Sequence, residues 1–203
     1  MLDDLIAQKH GADEEAFFGL HSVQITGTGL LIKLSLDPAD GSERLTWQID
    51  CVGVREFLLR TLSFDSLRVE SVHPILLTFN ELFAELYFYS SPTNPSELIG
   101  ELFEGHKELV DDWIPFERFL SQQPGGLPKI LSAQSGMLAS GPQSIIRKYA
   151  GILTRHTVAH SVRSTQMPKV WDGEKWIQPD LMPQALILDN SYVVAESFDA
   201  QRL

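Results

Sequence analysis

The histidine pair His156 and His160 is the pattern in this chain that comes nearest to a chemical signature. Two histidines four residues apart lie on the same face of a helix, where both imidazoles can bind one metal ion. A carboxylate from Asp111 or Asp112 would complete a hydrolytic metal site. The predicted helix ends between the two histidines, which weakens this spacing. We therefore interpret His156 as a helix-terminal residue and His160 as a surface or strand residue, with a metal-dependent hydrolase as an alternative hypothesis.

A serine hydrolase is the second catalytic alternative. Ser135, His156 and Asp111 provide the three residue types of a catalytic triad, but no spacing supports the combination, because such residues are common in any chain of 203 residues. The sequence contains no P-loop, no complete Gly-x-Gly-x-x-Gly motif, no His-Glu-x-x-His motif and no nucleophile elbow. Gly27-Thr28-Gly29 lacks the third glycine of a nucleotide-binding motif. Enzymatic activity is therefore left open, and neither a metal nor a cofactor is predicted.

Acidic residues along the predicted helix after Asn94 point to a different function. Residues 1–120 contain 8 Lys and Arg against 21 Asp and Glu, a net charge of −13, whereas residues 121–203 contain 8 against 6, a net charge of +2. This acidity argues against nucleic acid, because binding phosphates requires a basic surface. It permits a basic protein partner, although acidity can equally serve only to keep a protein dissolved. The predicted partner-binding carboxylates are Glu97, Glu101, Glu104, Glu108, Asp111 and Asp112.

Two tryptophans near the carboxyl end provide a second candidate contact surface. Val170–Ile177 contains Asp-Gly, which favours a tight hairpin turn. In that two-residue register Trp171 pairs with Glu174, and Trp176 shares a face with Trp171. Exposed aromatic residues are favoured contact points, so the hairpin is predicted to bind a partner or to form a homodimer.

The element expected to organise the fold is an amphipathic helix between Asn94 and Asp112. Asn94 is a good N-cap, Pro95 suits the first helical position, and Glu97 has the capping-box spacing. Apolar residues then recur at helical spacing, which predicts a helix that covers a sheet. Those residues are Leu98, Ile99, Leu102, Phe103, Leu109, Val110 and Trp113.

The predicted fold class is α+β. Residues 20–90 are expected to form an antiparallel β-meander covered by the long amphipathic helix, followed by a helical middle and a small C-terminal hairpin region. The meander includes a hairpin in which Gly27-Thr28-Gly29 connects His21–Thr26 to Leu30–Asp37. Apolar residues alternate along the second strand of this hairpin (Leu30, Ile32, Leu34 and Leu36), which predicts that one face of the sheet is buried. Residues 1–203 are interpreted as a single domain. A subdomain boundary is placed at the Pro- and Gly-rich residues 122–128, between 1–121 and 129–203.

Composition and the absence of targeting signals complete the prediction. The lone Cys51 excludes an intramolecular disulfide, and the start Met-Leu-Asp-Asp lacks the basic segment of a signal peptide. No stretch approaches the roughly 20 apolar residues of a membrane span, so a cytoplasmic protein without membrane contact is expected. The leading hypothesis is a non-catalytic interaction or self-associating module. A third hypothesis is a small-molecule binder with a pocket between the sheet and residues 122–142.

Overall fold

The structure is a computed structural model, which describes residues 2–11, 16–27, 29–38, 43–121, 126–165, 169–171, 173–177 and 182–203. The fold is α+β, and every strand pairing among these residues is antiparallel. The helices are α1 (Leu2–Gly11), α2 (Leu77–Asn80), α3 (Pro95–Val110), α4 (Gly126–Leu131) and α5 (Gln143–Arg155), with 3-10 helices at Pro74–Leu76 and Phe116–Phe119. The strands are β1 (Phe17–Ile25), β2 (Gly29–Asp37), β3 (Leu45–Val52), β4 (Glu56–Leu58), β5 (Ser63–Phe64), β6 (Arg68–Glu70), β7 (Phe83–Phe88), β8 (Gly136–Pro142), β9 (His160–Ser164), β10 (Val170–Trp171), β11 (Trp176–Ile177), β12 (Gln184–Leu188), β13 (Ser191–Ala195) and β14 (Ser197–Arg202).

The chain divides into two units that are interleaved in sequence. The first unit comprises Met1–Leu76 and Leu181–Leu203, and the second comprises Leu77–Asp180. The boundary proposed at residues 122–128 overlaps residues 122–125, which lie outside the described residues. Gly126 and Leu127 begin α4 within the second unit.

The first unit contains two antiparallel sheets around one hydrophobic core. One sheet has the strand order β14-β3-β2-β1-β5, and the other has the order β4-β13-β12-β6. Their core combines alternate residues of β2, such as Leu30, Ile32 and Leu34, with Leu186 and Val193 of the second sheet. The alternation in β2 therefore buries one face, as the sequence predicts.

The predicted hairpin around Gly27 is confirmed in this unit. β1 pairs with β2 from Phe17 opposite Asp37 to Ile25 opposite Leu30, with a register shift between Leu20 and Ser22. The Thr26 amide donates to the Gly29 carbonyl at 2.9 Å and closes the turn.

The second unit contains a three-stranded sheet with the order β8-β7-β9 and two longer helices. Helix α5 contacts all three strands, and α3 contacts α5, α4 and the 3-10 helix Phe116–Phe119. The prediction of a long helix lying across the meander is not confirmed. The longer helix that packs on the strands of this unit is α5, whose Ile145, Ile146, Tyr149 and Ile152 form a fully buried stripe.

Helix α3 begins where its local signals predict. The Asn94 side chain accepts a hydrogen bond from the Glu97 amide at 3.3 Å and donates to the Glu97 carboxylate at 3.1 Å. These bonds satisfy an amide of the first turn, which has no partner within the helix. The helix ends at Val110, and Asp111 caps it with a φ of 49°.

Charged residues join α3 to α5 in antiparallel register. Arg155 donates to Glu101 at 2.7 Å, and Lys148 donates to Glu108, so both helices use positions seven residues apart. Between these ion pairs, a β-carbon on Gly105 would lie 2.7 Å from the Ile152 Cδ1 atom. A glycine at this position therefore allows the two helices to approach closely.

Candidate ligand-binding pocket

A pocket of about 650 Å³ opens in the second unit between α3, the 3-10 helix Phe116–Phe119 and the start of α4. This volume lies in the range of clefts that hold small molecules, roughly 300–1,000 Å³. The lining is mostly apolar, with two hydroxyl groups and one carboxylate. The lining residues are Ser96, Ile99, Gly100, Phe103, Phe116, Glu117, Leu120, Ser121, Gly126 and Leu127.

Helix α3 presents two apolar stripes, and only one of them is core. Leu98, Leu102 and Val110 are fully buried. Ile99 and Phe103 lie on an adjacent face with the spacing of one helical turn, and 40% of the Phe103 side chain is exposed. This second stripe forms the α3 wall of the pocket.

Gly100 keeps that wall open. A β-carbon at Gly100 would meet no atom within 4 Å. Glycine costs roughly 1 kcal/mol relative to alanine in the middle of a helix, and no close contact at this position requires it. The small residue therefore leaves volume to the pocket.

Phe116 forms the aromatic wall opposite α3. Its ring packs edge-on against Phe103 with the centroids 5.6 Å apart, and against His106 at the same distance. It also packs edge-on against Tyr149 at 6.2 Å. Such contacts fix the orientation of a ring, because aromatic pairs prefer edge-to-face geometry.

A buried hydrogen-bonded pair, His106 and Tyr149, lies behind this wall. The Nε2 atom of His106 is 2.7 Å from the Ile114 carbonyl oxygen, and its Nδ1 atom is 2.9 Å from the Tyr149 hydroxyl. Because a carbonyl only accepts, Nε2 carries the proton and Nδ1 accepts from the tyrosine. The neutral imidazole thereby satisfies both buried partners.

Burial determines the titration of this pair. It lowers the pKa of His106, although the bond to the Ile114 carbonyl and the Glu117 charge both act in the opposite direction. Burial also raises the pKa of Tyr149, with a smaller contribution from the Glu117 charge. Both side chains are therefore held neutral behind the pocket wall.

No family model, curated protein or solved structure matches this chain. The geometry of the side chains is therefore the basis for every functional argument below. No helix among the described residues is both long and apolar enough to cross a membrane.

We expect the protein to lose stability when the pH falls from 7.5 to 5.5. Burial lowers the pKa of His106 and of His73, which is buried in the first unit. The unfolded chain then binds protons more readily than the folded chain below a pH of about 6.5, so protonation favours unfolding. The stabilisation is complete above that pH and is lost as the pH falls towards the lowered folded-state pKa.

Urea denaturation at several pH values measures the slope of the free energy of unfolding against pH. This slope is limited to about 1.4 kcal/mol per pH unit for each proton. His106→Gln should remove one part of the slope, and His73→Gln should remove another. An unchanged slope in His106→Gln would contradict the assignment of a lowered pKa to this imidazole.

The structure places the hydrolase candidates in separate surroundings. His156 caps the end of α5, with its Nε2 atom 3.1 Å from a Glu101 carboxylate oxygen. His160 begins β9, and its Nδ1 atom lies 2.8 Å from the Val158 carbonyl. Ser135 is exposed immediately before β8. Within the part of the chain that the structure describes, no three His, Cys, Asp or Glu side chains form a group suited to a metal ion. The hydrolase hypothesis stays a prediction without geometric support.

Three of the six carboxylates of the predicted acidic surface pair with cations of the same chain. Besides the two pairs between α3 and α5, Asp112 lies 3.0 Å from the Lys107 ammonium group. Hydrogen bonds from Arg155, and secondarily His156, lower the pKa of Glu101, and Lys148 lowers that of Glu108. Glu104 and Asp111 are exposed. The charge available to a basic partner is therefore smaller than the sequence indicates.

The two tryptophans do lie together on a hairpin, in a different register from the predicted one. Trp171 pairs directly with Trp176, so four residues connect the strands, and Trp171 is not opposite Glu174. The rings meet edge-to-face with centroids 5.7 Å apart. Their side chains are 51% and 64% exposed, which keeps the predicted contact surface available.

The sequence predicts a small-molecule pocket between the sheet and residues 122–142, and of the lining residues Gly126 and Leu127 belong to that range. It assigns Ile99 and Phe103 to the helix face that covers a sheet, although one signal indicates a second role for them. The apolar stripe of the helix is wider than one buried face requires, since it includes both Leu98 and Ile99, and both Leu102 and Phe103. A typical surface helix buries one stripe of about 100°. The excess apolar width predicts a second contact, which here lines the pocket.

Proposed function

We propose that the second unit binds a small, mainly apolar molecule in the pocket between α3, the 3-10 helix and α4. The observation that carries this proposal is a pocket of about 650 Å³ with a mostly apolar lining, in which Phe103 is half-exposed. Large apolar pockets with a few polar groups and titration-shifted neighbours are the usual location of ligand sites. The neutral His106–Tyr149 pair behind Phe116 supports the same choice.

The polar groups of the lining restrict the chemistry of the ligand. Ser96 and Ser121 provide hydroxyl groups, and Glu117 provides a carboxylate. A carboxylate beside an apolar surface disfavours anionic ligands, because like charges repel most strongly where water is displaced. The ligand is therefore an apolar molecule that is neutral or positively charged, with hydroxyl or amino groups as its polar part.

A matched pair of glycine substitutions tests this function. Gly100 lines the pocket, whereas Gly151 lies in α5 outside it, and a β-carbon at either position would meet no atom within 4 Å. Gly100→Phe adds a large side chain to the α3 wall of the pocket, so we expect it to weaken the binding of the neutral dye Nile red about tenfold or more. Gly151→Phe makes the same chemical change and should leave binding unaltered. Fluorescence titration at equal protein concentration measures both.

A second readout separates this pocket from other apolar surfaces. Saturation at about 100 times the dissociation constant stabilises a folded protein by about 2.7 kcal/mol, so Nile red should raise the melting temperature of the wild type. That increase should disappear in Gly100→Phe and persist in Gly151→Phe. The anionic dye 1-anilinonaphthalene-8-sulfonate should bind more weakly than Nile red. Equal binding of Nile red to both variants would exclude this pocket as the site.

Binding of a basic protein to α3 remains a hypothesis of lower support. Glu101, Glu108 and Asp112 already have cationic partners in the chain. A basic partner would have to compete with these pairs, although exposed ion pairs are individually weak, at roughly 0–1 kcal/mol. A salt-dependent pull-down with the charge reversal Glu104→Lys tests this version.

A further inference from the structure

The outer edge of β1 changes character halfway along the strand. Its first half is covered, because Phe18 and Gly19 pair with β5 and the Leu20 amide donates to the Leu62 carbonyl at 2.7 Å. After the register shift at His21, no described strand pairs with the outer side. Residues 21–27 are all exposed, including Val23 at 37% and Ile25 at 76%.

The ladder with β2 shows which backbone groups this open edge offers. The Thr26 amide donates to Gly29, so Thr26 and Gly29 form a hydrogen-bonded pair. Bonded and non-bonded pairs alternate in an antiparallel ladder. Ile25 opposite Leu30 and Val23 opposite Ile32 are therefore non-bonded pairs. Their amide and carbonyl groups point away from β2, towards the open side.

Other sheet edges among the described residues carry features that discourage strand addition. β4, β5, β6, β10 and β11 have three residues or fewer, β9 contains Arg163, and β14 contains Asp199 and Arg202. The outer side of β8 is occupied by a bridge from Leu120 to Ala139 and by the Ser121 amide, which donates to Leu138. Short strands, charges and coverage are the usual means by which proteins prevent edge-to-edge pairing.

The open half of β1 carries no charged side chain, and no strand among the described residues covers it. No Asp, Glu, Lys or Arg occurs between Glu15 and Lys33, in a chain whose net charge is −11. Copies of a chain with this net charge repel each other, and the repulsion is smallest where the segments that meet are uncharged, as they are at this edge. The absence of charge therefore favours a second copy of the chain as the occupant.

We propose that residues 22–26, the end of β1 and the residue after it, pair antiparallel with the same residues of a second copy around a two-fold axis at Gln24. Val23 then lies opposite Ile25 of the other copy, and Gln24 lies opposite its own counterpart. This register uses both residues with outward backbone groups and provides four backbone hydrogen bonds. On one face of the paired strands, the apolar side chains of Val23 and Ile25 lie opposite each other. On the other face, the two Gln24 amide side chains lie opposite each other.

The size of this interface determines how strong the association is. Five residues per copy bury less surface than the roughly 1,000 Å² that a stable interface needs. The dimer is therefore weak and reversible, and sedimentation equilibrium across roughly 1–500 μM should show a rising mass. This association is independent of the ligand pocket, since β1 belongs to the first unit.

Charge substitutions at Gln24 test the register. Gln24→Lys places two ammonium groups opposite each other, and Gln24→Glu places two carboxylates there, so each variant alone should associate about tenfold more weakly. An equimolar mixture of the two variants should regain at least the wild-type affinity, because it places opposite charges together. This rescue does not depend on any effect of a single substitution on folding.

A lysine in place of a valine on a different edge strand, β9, provides the matched control. Val162 in β9 is 40% exposed, close to the exposure of Val23. Val23→Lys should weaken the dimer, and Val162→Lys should not. A protein that stays monomeric at all concentrations would overturn the proposal, as would a mixture of Gln24 variants that fails to associate. A dimer that Trp176→Ala dissociates and Val23→Lys leaves intact would place the interface on the tryptophan hairpin instead.

Discussion

Gly29→Ala should destabilise the first unit by about 3 kcal/mol, the upper part of the range for forced overpacking. A β-carbon at this position would lie 1.9 Å from the Cys51 carbonyl oxygen, which is a backbone atom of the neighbouring strand. Gly29 pairs with Val52 where β2 begins and β3 ends, so relief of the clash requires separation of the two strands. Urea denaturation followed by circular dichroism measures the loss.

Gly27→Ala is the control for this substitution. Gly27 lies in the same turn, and its β-carbon would meet no atom within 4 Å. We expect its effect on the free energy of unfolding to stay within about 0.5 kcal/mol, as for most surface substitutions. Equal stability of Gly29→Ala and Gly27→Ala would show that the strands do not approach as closely as described.

The two glycines also show what the sequence pattern reveals and what it hides. Gly27-Thr28-Gly29 is an incomplete nucleotide-binding motif, and the hairpin around it was correctly predicted from the alternation of Leu30, Ile32 and Leu34. The close approach of Cys51 to Gly29 depends on a third strand, 22 residues further along the chain. Local patterns contain no information about such a contact.

Helix α3 also has a feature that local sequence predicts and a feature that depends on residues far away in the chain. Its start was predicted because Asn94, Pro95 and Glu97 are close in sequence and cap the helix without help from other elements. Its partner was not predicted, because the contacts of Glu101 with Arg155 and of Glu108 with Lys148 join residues at least 40 positions apart. Two carboxylates that look like part of a free acidic surface in sequence are therefore engaged in the fold.

The tryptophan hairpin shows a competition between two local preferences. The Asp-Gly dipeptide favours a two-residue turn, which would place Trp171 opposite Glu174. The observed register places Trp171 opposite Trp176 and requires a four-residue connection. An edge-to-face aromatic pair contributes roughly 0.5–1.5 kcal/mol beyond burial, and this contribution favours the observed register.

His106→Leu should destabilise the second unit by about 4 kcal/mol. Leucine fills much of the same volume but removes the donor to the Ile114 carbonyl and the acceptor for the Tyr149 hydroxyl. Each buried polar group that loses its partner costs roughly 1–3 kcal/mol. His106 is 1% exposed and Tyr149 is fully buried, so water cannot readily replace the imidazole.

A double-mutant cycle distinguishes this mechanism from a simple loss of packing. Tyr149→Phe alone should cost about 1–2 kcal/mol, because the Nδ1 atom of His106 loses its donor. Added to His106→Leu, the same substitution should restore about 1 kcal/mol, because it removes a hydroxyl group that is already without a partner. The sign of the Tyr149→Phe effect therefore reverses between the two backgrounds. Additive losses in denaturation experiments would refute the hydrogen-bonded pair, and an unchanged Nile red affinity in folded His106→Leu would show that Phe116 keeps its place without the imidazole.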